Sequence, residues 1–207
     1  MYRNLKEKLA SKRLLVTGLA VGLLVLSLLA FSPLVSMAKG NNAVSASKEP
    51  ELHPFTITSP DFRDDKPLPR TAEFGGGGGC NGKNIAPTLN WENVPAGTQG
   101  FAFTMNDVDA PVAGGFHHWI VYNIPAQVRT LNGHNTFTGG TNSFGLTNYD
   151  GPCPPPTGQI HHYIFTVYAL SVPSIQGNAL TFDALLQAIS KDVVGATSTI
   201  GTFRRTN

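Results

Sequence analysis

One ten-residue run, His161-His162-Tyr163-Ile164-Phe165-Thr166-Val167-Tyr168-Ala169-Leu170, restricts the folds open to this chain more than any other segment. Side chains alternate across a strand, and here both alternating sets are largely apolar or aromatic. That is the pattern of a central strand covered on each side. Shorter β-branched and aromatic runs at residues 55–58, 100–105 and 118–122 are separated by Gly, Pro and Asn clusters, which mark turns. With 22 Gly, 15 Pro and only 14% charged residues among 207, the chain is turn-rich and sparsely charged. One amphipathic helix is expected at residues 182–190, where Phe182, Leu185, Leu186 and Ile189 fall at i, i+3, i+4 and i+7, capped by Thr181 or a neighbour. The expected fold is mainly β: a sandwich-like pair of antiparallel sheets with a short C-terminal helical segment and no internal repeat.

The N-terminal region has a different character. Residues 1–13 carry Arg3, Lys6, Lys8, Lys12 and Arg13 against Glu7 alone, and residues 14–31 carry no charge. Ser36 and Ala38 then place small residues three and one before a cut ahead of Lys39, as in a signal peptide. An uncleaved anchor is the alternative, since 18 apolar residues rise about 27 Å, close to a bilayer core. No Cys follows the apolar run to take a lipid. The expectation is therefore a signal peptide or membrane anchor at 1–38, a flexible linker at 39–53 and one domain at 54–207. The protein would be periplasmic or secreted, or held at the membrane by residues 14–31.

Beyond residue 38 the chain has 10 Lys+Arg against 12 Asp+Glu, so it lacks the basic excess that nucleic-acid binding requires. Composition also excludes a coiled coil, a polytopic membrane protein and a disulfide-dense miniprotein. In an oxidising compartment Cys80 and Cys153 can pair, and the sequence leaves both a disulfide and two separate thiols open.

Chemistry concentrates in three segments: Asp107-Val108-Asp109-Ala110-Pro111, His117-His118-Trp119, and the stretch from Gly151-Pro152-Cys153-Pro154-Pro155 to His161-His162-Tyr163. Strand alternation lets one histidine of each pair line a pocket. His161 and Tyr163 share a face, as do Asp107 and Asp109 if extended, although Asp-x-Asp-Ala-Pro is equally the chemistry of a turn. His117 and His162 belong to the opposite face or to solvent. Trp91 and Trp119 are expected as core packing. Gly75–Gly79 lacks the Lys-Ser/Thr and helix of a phosphate-cradling loop and reads as a mobile loop.

Five ordered motifs carry a family resemblance across residues 55–205. They are Cys80-x-Gly82-x-Asn84-x-Ala86-Pro87-x-Leu89-x-Trp91, Val94-Pro95-x-Gly97-Thr98, Asp107-x-Asp109-Ala110-Pro111, His118-Trp119-x-Val121-x-Asn123-Ile124-Pro125, and Gly151-Pro152-x-Pro154-Pro155-x-x-Gly158-x-x-His161-x-Tyr163-x-Phe165. In these the chain resembles the phosphatidylethanolamine-binding proteins, in their bacterial, Raf-kinase-inhibitor-like branch. The resemblance implies a non-catalytic binding protein with a small anion pocket, for phosphate or a phospholipid headgroup, at the strand ends. Its pocket positions map to Asp107, His118, Pro154, Pro155, His161 and Tyr163, with Asp109 beside them. It also implies a protein partner, for which an extracytoplasmic protease is the candidate, and no cofactor. The five-glycine loop, Asn106 and Pro156 depart from the family pattern around the rim. The alternative function is an acid/base or metal-dependent hydrolase using Asp107, His118 and His161, for which no nucleophile motif is present.

Overall fold

The uninterrupted run at residues 161–170 becomes the middle of the larger of two sheets. In the computed structural model residues 53–206 are described, so the expectations for residues 1–38 and for the linker up to residue 52 lie outside them. The described residues form β1 (Thr56–Thr58), β2 (Lys66–Pro67), β3 (Leu89–Glu92), β4 (Gly100–Asp107), β5 (Phe116–Pro125), β6 (Thr130–Leu131), β7 (Thr138–Thr141), β8 (His161–Leu170), β9 (Ala179–Thr181), α1 (Phe182–Ile189) and β10 (Val193–Phe203). One sheet has the order β1-β3-β6 and the other β2-β10-β8-β4-β5-β7-β9. Pairing is antiparallel except at the margins of the large sheet, where β2 runs parallel to β10 and β9 parallel to β7.

The principal core lies between the sheets. Ile57, Leu89 and Trp91 from the small sheet meet Phe101, Phe103, Met105, Trp119, Val121, Phe165 and Val167 from the large one. Both tryptophans are packing residues: Trp91 meets Phe101 edge-on at 5.3 Å, and Trp119 meets Phe103 at 5.1 Å. A second cluster on the other face of the large sheet joins Ala102, Ile120, Tyr122 and Leu170 to Phe182, Leu185 and Ile189 of α1. The helix begins where the sequence places it, with the Thr181 side chain accepting a hydrogen bond from the Ala184 amide at 3.4 Å.

β8 is covered less evenly than its sequence implies. Tyr163, Phe165, Val167 and Ala169 are buried between the sheets, but on the opposite face only the end near Tyr168 packs against the helix-side cluster. His162, Ile164 and Thr166 stay half-buried. Length is the reason: eight helical residues extend about 12 Å, whereas a ten-residue strand runs about 33 Å. β10, the longest strand, has no strong apolar alternation in Val-Val-Gly-Ala-Thr-Ser-Thr-Ile-Gly-Thr-Phe and is defined by its pairing along the whole of β8.

Candidate functional site

Because β4 runs antiparallel to both β5 and β8, its last residue meets their first ones. Asp107 stands opposite Phe116 on one side and Tyr163 on the other. His118 reaches this corner through a bulge. Met105 pairs with Trp119 while Asn106 pairs with His117, which leaves His118 as the extra residue of β5. A bulge re-aims a side chain, and here the consecutive His118 and Trp119 both turn to the inter-sheet side. His117 goes to the opposite face and stacks on Phe182, with ring centroids 4.0 Å apart. Burial lowers the His117 pKa, partly opposed by Asp183.

The floor is a set of buried hydrogen bonds. His161 Nδ1 lies 2.8 Å from Asp107 Oδ2, and Asp107 Oδ1 accepts from the Asp109 amide at 3.0 Å. His118 Nδ1 lies 2.7 Å from the Asp150 carbonyl oxygen. Burial pulls the His118 pKa down to about 4, against the upward influence of that carbonyl and of Asp107, so the ring is neutral at pH 7. Asp150 belongs to a second buried network. Its Oδ2 accepts from Asn142 Nδ2 at 2.7 Å, and its Oδ1 faces the amides of Asn148 at 3.3 Å and Asn84 at 3.4 Å. This scaffold holds the backbone against which His118 is oriented.

Above the floor opens a cavity of about 530 Å³, lined by Asp107, His118 and His161, by the aromatic residues Phe74, Phe116 and Phe144, and by Ala110, Pro111 and Val112. Phe144 stacks on Phe74 at 4.9 Å and meets Phe116 edge-on at the same distance. The opposite wall is Gly76–Gly78 with Cys153, Pro154 and Pro155. The glycine run is held by a disulfide between Cys80 and Cys153. It turns through positive φ at Gly77 (115°), Gly78 (65°) and Gly79 (80°), where side chains would be strained. Outside this wall the Arg205 guanidinium donates to Gly78 O at 2.9 Å and contacts Cys80 Sγ at 2.7 Å and Cys153 Sγ at 3.2 Å.

Of the residues singled out in the sequence, Asp107, His118, Pro154, Pro155 and His161 line this one cavity, whereas Asp109 and Tyr163 are not part of its lining. Asp109 Oδ2 accepts from the His162 amide at 2.8 Å and faces His162 Nδ1 at 2.6 Å. Burial works to raise the Asp109 pKa, but the hydrogen bonds and charge of His162 outweigh it and leave the pKa below the ordinary value. Tyr163 is wholly buried beneath His118, its ring edge-on at 5.2 Å. Burial, followed by the charge and hydrogen-bonding side chain of Asp107, raises its pKa, so the phenol keeps its proton. The sequence reading missed the aromatic wall and the Asp150 network. The available signal was Asp150 itself, a lone acid in the polar, Asn-rich stretch before Gly151. Among the described residues no group of three His, Cys, Asp or Glu side chains is placed to hold a metal ion.

The phosphatidylethanolamine-binding protein family model matches residues 58–204. Escherichia coli YbhB is 43% identical over 128 residues, covering 58% of this chain and 80% of YbhB. The crystal structure of E. coli YbcL, described as a member of the mammalian PEBP family, superposes with a TM-score of 0.68 at 32% identity, covering 72% of this chain and 98% of YbcL. That of the Chlamydia trachomatis homolog CT736 gives 0.65 at 29% identity, covering 73% and 97%. Sequence and fold together make this chain a member of the phosphatidylethanolamine-binding protein family, in the bacterial branch that includes YbhB and YbcL.

Proposed function

We propose that this chain is an exported, non-catalytic binding protein whose cavity receives the acidic head of a small ligand, a phosphate or phospholipid-headgroup type of group. The carrying observation is the cavity itself: two buried imidazoles and a carboxylate at the bottom of about 530 Å³, under walls of Phe74, Phe116, Phe144 and Val112. Such a polar floor below apolar walls suits an amphiphile with its head inward, in a volume typical of small-molecule sites. The family's name supports a phospholipid headgroup as the ligand class. Export is supported by the Cys80–Cys153 bond, which persists in oxidising compartments. A regulated partner such as an extracytoplasmic protease would meet the rim around the cavity, where Val112 and Phe144 are exposed.

The test is titration with inorganic phosphate and phosphoethanolamine, following the histidine ring resonances of the wild type and of His161→Ala. Saturable shifts at His118 and His161 that vanish in the variant are expected; the absence of any saturable shift would refute the reading. Hydrolysis is the second reading, favoured by the buried Asp107–His161 pair, which has the form of an oriented general base. The described cavity lining holds no hydroxyl or free thiol, so water would have to be the nucleophile. Steady turnover of aryl phosphates or esters, abolished by Asp107→Asn, would establish hydrolysis and overturn the binding role.

A further inference from the structure

Both histidines on the cavity floor have already committed one nitrogen. The partner of His118 Nδ1 is a carbonyl oxygen, which can only accept, so Nδ1 carries the hydrogen. The partner of His161 Nδ1 is Asp107 Oδ2, and the other oxygen of that carboxylate is filled by the Asp109 N–H. Placing the hydrogen on this Nδ1 leaves the buried carboxylate accepting at both oxygens. In a neutral ring the remaining nitrogen, Nε2, is then an acceptor. His118, neutral at pH 7, thus offers a lone pair where an anion needs a donor.

No fixed positive charge lines the cavity itself. The lining contains neither Lys nor Arg. Arg205, behind the glycine wall, is engaged by Gly78 O and the two sulfurs. The charged and titratable groups around the two rings are Asp107 from β4, Tyr163 from β8, His117 beside His118 on β5, the Asp109–His162 pair at the rim, and Asp150 behind His118. Three of these are carboxylates, and Asp109 and Asp150 are taken up by their own partners. A dianion entering here meets the field of Asp107 and the lone pair of His118.

We propose that the cavity selects a ligand that brings its own proton: a phosphate monoester is bound as the monoanion, its P–O–H directed at His118 Nε2, and the dianion is excluded. The proposal rests on the anion-binding reading above and names the form of ligand that this site accepts. The low pKa of His118 agrees with it, because that ring does not convert to a donor above about pH 4.

The test uses the full chain and phenyl phosphate, whose second ionisation lies near pH 6. Affinity should be level below that value and fall about 50-fold from pH 6 to pH 8, as the monoanion is depleted. Calorimetry in two buffers of different ionisation enthalpy should show about one proton taken up per ligand at pH 8 and about none at pH 5. Two further probes separate the sources of a donor. Dimethyl phosphate, an anion without a proton, should bind at least tenfold more weakly than phenyl phosphate at pH 5. The methyl ester of phosphoethanolamine, a diester whose one donor group is its ammonium, should bind more tightly than dimethyl phosphate and keep its affinity from pH 6 to pH 8. Phenyl phosphate affinity that is flat or rises from pH 6 to pH 8, with no proton uptake, would overturn the proposal while leaving the binding reading intact. No binding of any probe at any pH would overturn both.

Discussion

Breaking the bond between Cys80 and Cys153 should have two separable effects, one on the whole fold and one on the cavity. The bond spans 73 positions, and closing a loop of that length removes about 4 kcal/mol of chain entropy from the unfolded state. Urea unfolding followed by tryptophan fluorescence, with and without a dithiol reductant, should therefore show a stability loss of about 4 kcal/mol. Reduction leaves two thiols that can still accept from Arg205, whereas a Cys80→Ala/Cys153→Ala variant strips both acceptors and should lose about 1 kcal/mol more. The local effect concerns Gly76–Gly78, which depend on the bond to stand as a wall. Once released, they must be ordered each time a ligand enters, at about 1 kcal/mol or more per residue, so affinity should fall about a hundredfold or more. A stability loss below about 1 kcal/mol would refute the chain-entropy reasoning. Unchanged affinity in the reduced protein would refute the claim that the bond maintains the wall.

Other perturbations address the floor and its supports. The His118 pKa of about 4 lies below the ordinary 6.5, so the unfolded state gains its proton first as pH falls. Stability should drop by about 3 kcal/mol between pH 7 and pH 4, and denaturation curves of His118→Phe should show a shallower slope over that window. Asn142→Ala removes the shortest donor to the buried Asp150 carboxylate and should cost about 1 to 3 kcal/mol, with a shifted His118 resonance as the local sign. Gly151→Ala would place a Cβ 1.9 Å from the Ala72 carbonyl oxygen, so soluble folded protein should fall sharply in expression tests. Thr181→Ala deletes the α1 cap and should cost about 1 kcal/mol in chemical denaturation without affecting ligand affinity.

What the sequence discloses and what it hides follow from the range of the forces involved. β8 and α1 are visible because their apolar periodicity is local. β10 is not, since Gly, Ala, Ser and Thr dominate it and its conformation comes from a neighbour some thirty positions earlier. Alternation separates His117 from His118 correctly but would put His118 and Trp119 on opposite sides. A bulge, which depends on the register with β4, puts them together. The same limit explains Asp109 and Tyr163. Motif position brings them to the neighbourhood, but the side-chain partner His162 and the depth beneath His118 decide whether they reach the cavity. Phe74, Phe116 and Phe144 come from three distant segments, and nothing in any one of them marks an aromatic wall.

The position of β8 between two long partners has a consequence for how a ligand comes and goes. Its amides are bonded to β10 along the whole strand and to β4 along most of it, so they should be among the slowest to exchange with deuterium and should open only with the entire domain. His161, the first residue of that strand, therefore sits at the edge of the most protected part of the molecule. The glycine wall facing it has few backbone bonds of its own. Ligand traffic should accordingly pass along the wall while the floor stays shut, so that bound ligand slows deuterium uptake at residues 76–79 and leaves the β8 amides unchanged.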